Sequence, residues 1–228
     1  ETALEVLLRH PVHIQGSSRT DSGVHAYQQV VVFSTSVTYN PRWIEGLNAL
    51  TPRSIGIHLI EPVSNDFCPI RSSKAKIYRY QVWQGRCFDP FMAPYVWSVA
   101  GKVDLLRLEA DAKKLIGKHD FKAFCAKDSS AKTTFRELFD IRVLRKGSCI
   151  YLWFCGAGFL KQMVRILVGT LVERSLKPKS QGIQEILQSK ERAKAGITAP
   201  AQGLTLMHIN YDGKFALDDK FLSSYSEK

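Results

Sequence analysis

The stretch Gly16–Ala26, GSSRTDSGVHA, has the composition of a working loop and not of a packed element. It combines small residues (Gly16, Ser17, Ser18), a charge pair (Arg19, Asp21), a second glycine (Gly23) and a histidine (His25). Small residues and glycine let a backbone approach a ligand closely. An acid two residues from an arginine in such a turn is either an Asx-type turn former or a reacting carboxylate. A second charge bears on that choice. The run Phe159–Leu176 is apolar on most of its circumference, which predicts a buried helix, yet it carries Arg165. A guanidinium does not shed its proton, so burial requires an acidic partner, unless the side chain snorkels out at the helix margin. Asp21 is the natural partner. A desolvated, ionised aspartate is a nucleophile or a base.

The elements that must place these residues follow from periodicity and punctuation. Glu1–Arg9 reads as a helix with Leu4, Leu7 and Leu8 on one face, and Gln28–Phe33 as a strand. Asn40-Pro41 opens a second helix, with Trp43, Ile44, Leu47 and Leu50 on its apolar side, and Thr51-Pro52 stops it. Ile55–Pro62 alternates as a strand. Ser72–Trp83 is a polar lead into a strand whose Lys74, Lys76, Tyr78 and Tyr80 share one face. Two cations followed by two tyrosines suit either a nucleic-acid-facing surface or cross-strand packing beside solvated lysines. Arg86–Gly101, rich in proline and aromatics, reads as a crossing between two halves.

Val103–Ile116 is an amphipathic helix closed by Gly117, and Lys127–Thr134 is a polar loop, a candidate mobile substrate contact. Thr133–Arg145 and Ser148–Gly156 form a hairpin around Lys146-Gly147. The unbroken apolar run Ile150–Cys155 makes the second of these strands central in its sheet. A short helix around Gln184–Leu187, a last strand over Leu204–Tyr211 and a polar, frayed tail from Asp218 to Lys228 complete the chain. Strands mixed with helices in both halves argue an α+β fold.

With 228 residues, 45% of them hydrophobic, the chain can bury a substantial core in one or two domains. Its formal charge is +11, from 32 Lys and Arg against 21 Asp and Glu. That excess suits a polyanionic partner, RNA or DNA before an acidic membrane surface. There is no run of ~18 apolar residues and no signal-peptide pattern, so no membrane span is expected. The five cysteines, Cys68, Cys87, Cys125, Cys149 and Cys155, are scattered, odd in number and without CxxC or histidine at ligand spacing. They read as reduced intracellular thiols, neither a disulfide frame nor a zinc site.

Several ordered blocks carry a family resemblance. SSRTDSGVHA resembles the RTDxGVHA signature of the TruA-type tRNA pseudouridine synthases. KIYRY (Lys76–Tyr80) is similar to that family's K-x-Y-R-Y strand, and GAGFLKQMVRILVGTL (Gly156–Leu171) to its G-x-x-F-L-x-x-M-V-R-x-L-V-G helix. AGITAPAQGLTL (Ala195–Leu206) resembles its closing block, and HDF (His119–Phe121) and LNALTP (Leu47–Pro52) also fit. The resemblance implies isomerisation of uridine to pseudouridine in RNA, with no cofactor and no metal. It implies two similar halves with mostly antiparallel sheets flanked by helices and a cleft between them, here 1–100 with the Asp loop and Tyr strand and 101–228 with the Arg helix.

By the same resemblance Asp21 is the catalytic aspartate and Arg165 the arginine paired with it. Tyr78 stacks on the flipped base, Arg19 enters the stem as the base leaves, and Leu204 is an apolar pocket wall. His25 is structural or RNA-contacting, and Lys74 and Lys76 are candidate phosphate contacts. A homodimer acting on the tRNA anticodon stem-loop in the cytoplasm is the implied setting. Three departures stand out. Ser18 replaces a preferred glycine; Ile70 stands where the family often has an arginine, which leaves the role of Arg71 open; and the family's opening strand and Y-D-G…G-W-Q segment are not seen, so sequence ahead of Glu1 and an open sheet edge are expected. The rival from another class is a non-catalytic RNA-binding module or RNA chaperone, which would keep the basic surface and Tyr78 but need no aspartate opposite an arginine.

Overall fold

A computed structural model of the chain describes residues 1–85, 89–177, 180–214 and 216–225. In chain order the elements are α1 (Thr2–Leu8), β1 (Gln15–Gly16), β2 (His25–Ala26), β3 (Val31–Val32), α2 (Trp43–Leu50), β4 (Ala75–Trp83) and β5 (Trp97–Ser98). They continue with α3 (Leu105–Lys113), β6 (Gly117–Asp120), β7 (Phe135–Lys146), β8 (Cys149–Gly156), α4 (Met163–Leu176), α5 (Ile183–Ser189), β9 (Leu204–Asn210) and α6 (Asp219–Ser224). Two compact units result, one from Glu1–Arg19 and Gln29–Ser72, the other from Thr20–Gln28 and Ser73–Lys228. They are a different division from the halves 1–100 and 101–228, because β4 shares a sheet with β8 and β9.

In the first unit α1 and α2 bury Leu4, Leu8, Trp43 and Leu47 together with Val12. Gly46 allows that approach, since a Cβ there would come within 2.9 Å of the Leu7 side chain. Strands β1 and β3 form a two-stranded antiparallel pair, shorter than the strand expected over Gln28–Phe33. The strand expected over Ile55–Pro62 is not formed. Its backbone is satisfied differently: Ile57 N–H donates to Asn48 Oδ1 at 2.7 Å, and Asn48 Nδ2 donates back to Ile57 O at 2.9 Å. A helix side chain has taken the place of a partner strand, so the alternating residues carry no sheet.

In the second unit a seven-stranded sheet runs β2-β9-β4-β8-β7-β6, with β5 beside β4. The pairs β2/β9 and β4/β5 are parallel and the rest antiparallel, so the fold is α+β with a mostly antiparallel sheet. Strand β8 is flanked on both sides and almost wholly buried, as its apolar run requires. One sheet face carries Tyr78 and Tyr80 with their cross-strand partners Phe154, Leu152, Leu206 and Leu204. The other carries Ala75, Ile77, Trp153, Cys155 and Met207, covered by Leu217 and Leu222. Arg79 lies on that second face, its guanidinium 5.7 and 5.5 Å from the Tyr151 and Trp153 rings. A bulge between Ile77 and Tyr78 shifts the register with β9, so that Met207 is the extra residue between Leu206 and His208.

Several boundaries differ from expectation: α2 starts at Trp43 behind Arg42 and not at Asn40-Pro41, and α3 spans Leu105–Lys113 within the expected Val103–Ile116, with Gly117 opening β6. Helix α4 begins at Met163, not at Phe159, with Gln162 in the left-handed region (φ 60°) ahead of it. A helix apolar all round has no polar-to-apolar transition to mark its start, and no capping residue is present to supply one. The tail forms α6 where fraying was expected: the Asp218 side chain accepts from Phe221 N–H at 2.7 Å, and Leu222 is buried against the sheet. Residues 226–228 of that tail and the Arg86–Phe88 part of the crossing segment, Cys87 included, lie outside the described residues. No helix among the described residues is long and apolar enough to cross a membrane.

The described cysteines are all free thiols, and their settings differ. Backbone N–H groups of Arg71 and Ile70 pull the half-buried Cys68 thiol below its ordinary range. Burial pushes Cys155 up to about 12 and also raises Cys149. Thiolate is the reactive form. Iodoacetamide should therefore alkylate Cys68 in the folded chain well before Cys125, Cys149 and Cys155, as read by peptide mass mapping; equal labelling of the four would contradict these environments.

Candidate active site

The loop that carries Asp21 is held from its far end. His25 and Ala26 pair in parallel with Thr205 and Leu206, Tyr27 N–H donates to Leu206 O at 2.8 Å, and Gln28 Oε1 accepts from Ile209 N–H at 2.9 Å. Within the loop Val24 N–H closes a tight turn onto Asp21 O at 3.1 Å. Gly23 has φ +82°, a conformation open to glycine, and sits against the Ala201 methyl. The aspartate is thus fixed between a turn and a strand of the sheet.

Arg165, in the first turn of α4, meets it there. Its Nη1 donates to Asp21 Oδ2 at 2.6 Å and its Nε donates to Ala199 O at 2.8 Å. The two side chains are 14% and 26% exposed, so the pair is sheltered but the carboxylate is reachable from solvent. The guanidinium spends its fork on one carboxylate and one main-chain carbonyl, which leaves it little freedom to turn. This is the pairing that the burial of Arg165 demanded. A carboxylate so held can act as a nucleophile or a base, and the fixed cation can balance charge that changes during reaction.

Tyr78 is buried on the sheet face that also carries Tyr80. Phe159, outside the helix in which it was expected, stands edge-on to Tyr78 with ring centroids 5.0 Å apart. Gly156 makes room for it: a Cβ there would lie 3.3 Å from the Phe159 ring and 2.8 Å from Glu137 O. Leu204 pairs with Tyr80 across the strands and is buried on the same face. Lys76 shares that face by the period of two and is half-buried, with its pKa lowered by burial. Lys74 is exposed at the start of the strand.

His25 pairs in register with Thr205, itself opposite Arg79, which puts it on the face away from Tyr78. Its Nε2 donates to Pro94 O at 2.7 Å and its ring lies 5.0 Å from Tyr95, so it pins the 90–95 segment. Arg19 belongs to the first compact unit and Asp21 to the second. No cluster of three or more His, Cys, Asp or Glu side chains able to hold a metal occurs among the described residues.

Three features escaped sequence reasoning. The carbonyl of Ala199 is a main-chain group and leaves no side-chain signal. Phe159 was hidden by the uniform apolarity of its run. Arg174 is a second cation in α4, more deeply buried than Arg165 at 8%, and it donates to the buried Asp111 at 2.8 Å. It was legible in principle from the same argument that singled out Arg165.

An aspartate paired with a helix arginine beside an α+β sheet, on blocks in a fixed order, defines a class. A family model described as tRNA pseudouridine synthase matches residues 112–212, a window that holds Arg165 and Leu204 and follows Asp21 and Tyr78. Curated relatives cover nearly the whole chain, and with them it belongs to the tRNA pseudouridine synthase family. The tRNA pseudouridine synthase A of Geotalea uraniireducens (strain Rf4) is 39% identical over 213 residues, 92% of this chain and 87% of that protein. That of Pseudoalteromonas atlantica is 38% identical over 219 residues, 95% and 83% of the two chains. The Bacillus licheniformis protein of the same name is 35% identical over 216 residues, 93% and 87%.

Proposed function

We propose that this protein isomerises uridine to pseudouridine in tRNA, with Asp21 as the group that attacks the target nucleotide. The observation that carries the reading is the 2.6 Å Arg165–Asp21 pair in a protein of this family. The N1–C1′ bond breaks, the uracil turns, and a C5–C1′ bond forms. The proton on C5 leaves and N1 gains one, so the atoms balance without an outside reactant. Asp21 acts either at C1′ as a nucleophile or on a ribose proton as a base; both roles use the same carboxylate. Arg165 holds it, Tyr78 stacks on the base, and Leu204 closes the apolar wall. Chemistry on a stacked base requires flipping it out, and Arg19 fills the stem it leaves.

The anticodon stem-loop is the target region, Lys74 and Lys76 contact phosphates, and the net charge of +11 supports the RNA partner. A cytoplasmic homodimer completes the reading. The test is tritium release from tRNA transcripts labelled at uridine C5. Release by the wild type is expected. A wild type that binds tRNA but releases no tritium would leave a non-catalytic RNA-binding module in its place.

A further inference from the structure

The second acceptor of Arg165 is a main-chain carbonyl, so the aim of the guanidinium depends on what holds residues 195–203. That segment is a strap without regular structure until the 3-10 turn Ala201–Gly203. At its start Gly196 N–H donates to Thr170 Oγ1 at 2.9 Å, and Gly169 lies directly against Ile197 O. Arg192 donates to Gly196 O at 2.9 Å and to Thr198 Oγ1 at 3.0 Å. In the middle Ala199 N–H donates to Arg165 O at 3.1 Å, the reverse of the Nε bond. At the end the Tyr80 hydroxyl donates to Pro200 O at 2.7 Å. The Tyr80 ring fills the space beside Gly203, where a Cβ would come within 2.6 Å of it.

Proline makes this last fastening count. Pro200 has φ −52°, fixed by its ring, so one soft dihedral remains between the Ala199 carbonyl plane and the Pro200 carbonyl plane. Holding the second carbonyl therefore holds the first. Tyr80 is fully buried, and burial raises its pKa well above the ordinary tyrosine value, so the hydroxyl stays a donor. The two tyrosines of KIYRY share a face but differ in what they hold. Tyr78 meets the Phe159 ring, and Tyr80 meets the strap.

We infer that Tyr80 is a positioning residue of this enzyme: its hydroxyl fixes the Pro200 carbonyl, and through it the Ala199 carbonyl that turns Arg165 toward Asp21. The inference rests on the reading of Asp21 and Arg165 as the catalytic pair. Tyr80→Phe removes the hydroxyl and keeps the ring. Its single-turnover rate should fall about tenfold while tRNA affinity stays within about twofold, since misaimed groups slow chemistry without weakening phosphate contacts. Leu222→Ala, on the opposite sheet face, serves as a variant of lowered melting temperature and should keep the wild-type rate. Pro200→Ala should also slow the reaction, and the double variant should be no slower than Tyr80→Phe. A Tyr80→Phe protein with the wild-type rate overturns the inference, and so does one whose binding falls as far as its rate. An inactive wild type would instead overturn the catalytic reading on which the inference stands.

Discussion

Asp21→Ala is expected to abolish pseudouridine formation, by at least about 10³-fold in single-turnover rate, while tRNA binding stays within a few-fold. The structure explains the split. The aspartate meets Arg165 and is tethered by loop and strand bonds that do not involve its carboxylate, namely the Val24 turn and the pairing along Thr205–Leu206. Truncation therefore removes the proposed reacting group without releasing the loop. Affinity for RNA rests in general on phosphate contacts, which a carboxylate does not make. Tritium release beside a filter-binding titration reads both quantities. Equal loss of both would make Asp21 a structural residue.

Arg165→Met is the second large effect. The rate should fall on the order of 10²-fold, because the fixed cation that balances the carboxylate is gone. Stability should suffer less. A methionine fills much of the same space, Asp21 is a quarter exposed and can be hydrated, and the carbonyl of Ala199 loses one donor. The lost bond costs about 1–2 kcal/mol, or roughly 2–8 °C in melting temperature for a chain of this size. A collapse of the melting temperature with near-normal activity in the remaining folded protein would contradict this. Replacing Arg174 is the instructive contrast. It is paired at 2.8 Å with the buried Asp111, which also meets the half-exposed Lys114 at 3.4 Å, so its loss leaves a buried carboxylate with the weaker contact and should be the more destabilising of the two.

Much of the second unit was readable because its signals are local. The β7–β8 hairpin follows from Lys146-Gly147 between two strand-forming runs, and the centrality of β8 from an unbroken apolar stretch. The Asp21–Arg165 pairing was readable for a different reason: a charge in an apolar helix must be answered somewhere. What was not readable depends on partners that sequence order does not reveal. Ile55–Pro62 has the strand pattern, but Asn48 takes both backbone bonds of Ile57 at its centre. His25 was read as structural or RNA-contacting, and the Pro94 carbonyl that it meets lies 69 residues away in the sequence. The polar tail hides Leu222, which with Leu217 just ahead of it packs a helix onto the sheet face that carries Trp153.

The parallel pairing of β2 with β9 has a consequence for how the protein is made. Arg165 lies 144 residues beyond Asp21, and the strand that tethers the Asp loop is joined through a bond spanning 181 residues. Contacts of such separation form late, after loop closure over most of the chain. A nascent chain on the ribosome therefore holds its aspartate on a loose loop until β9 has emerged, with neither the guanidinium nor the supporting strand in place. A product that stops before β9 therefore has no supporting strand for its Asp loop.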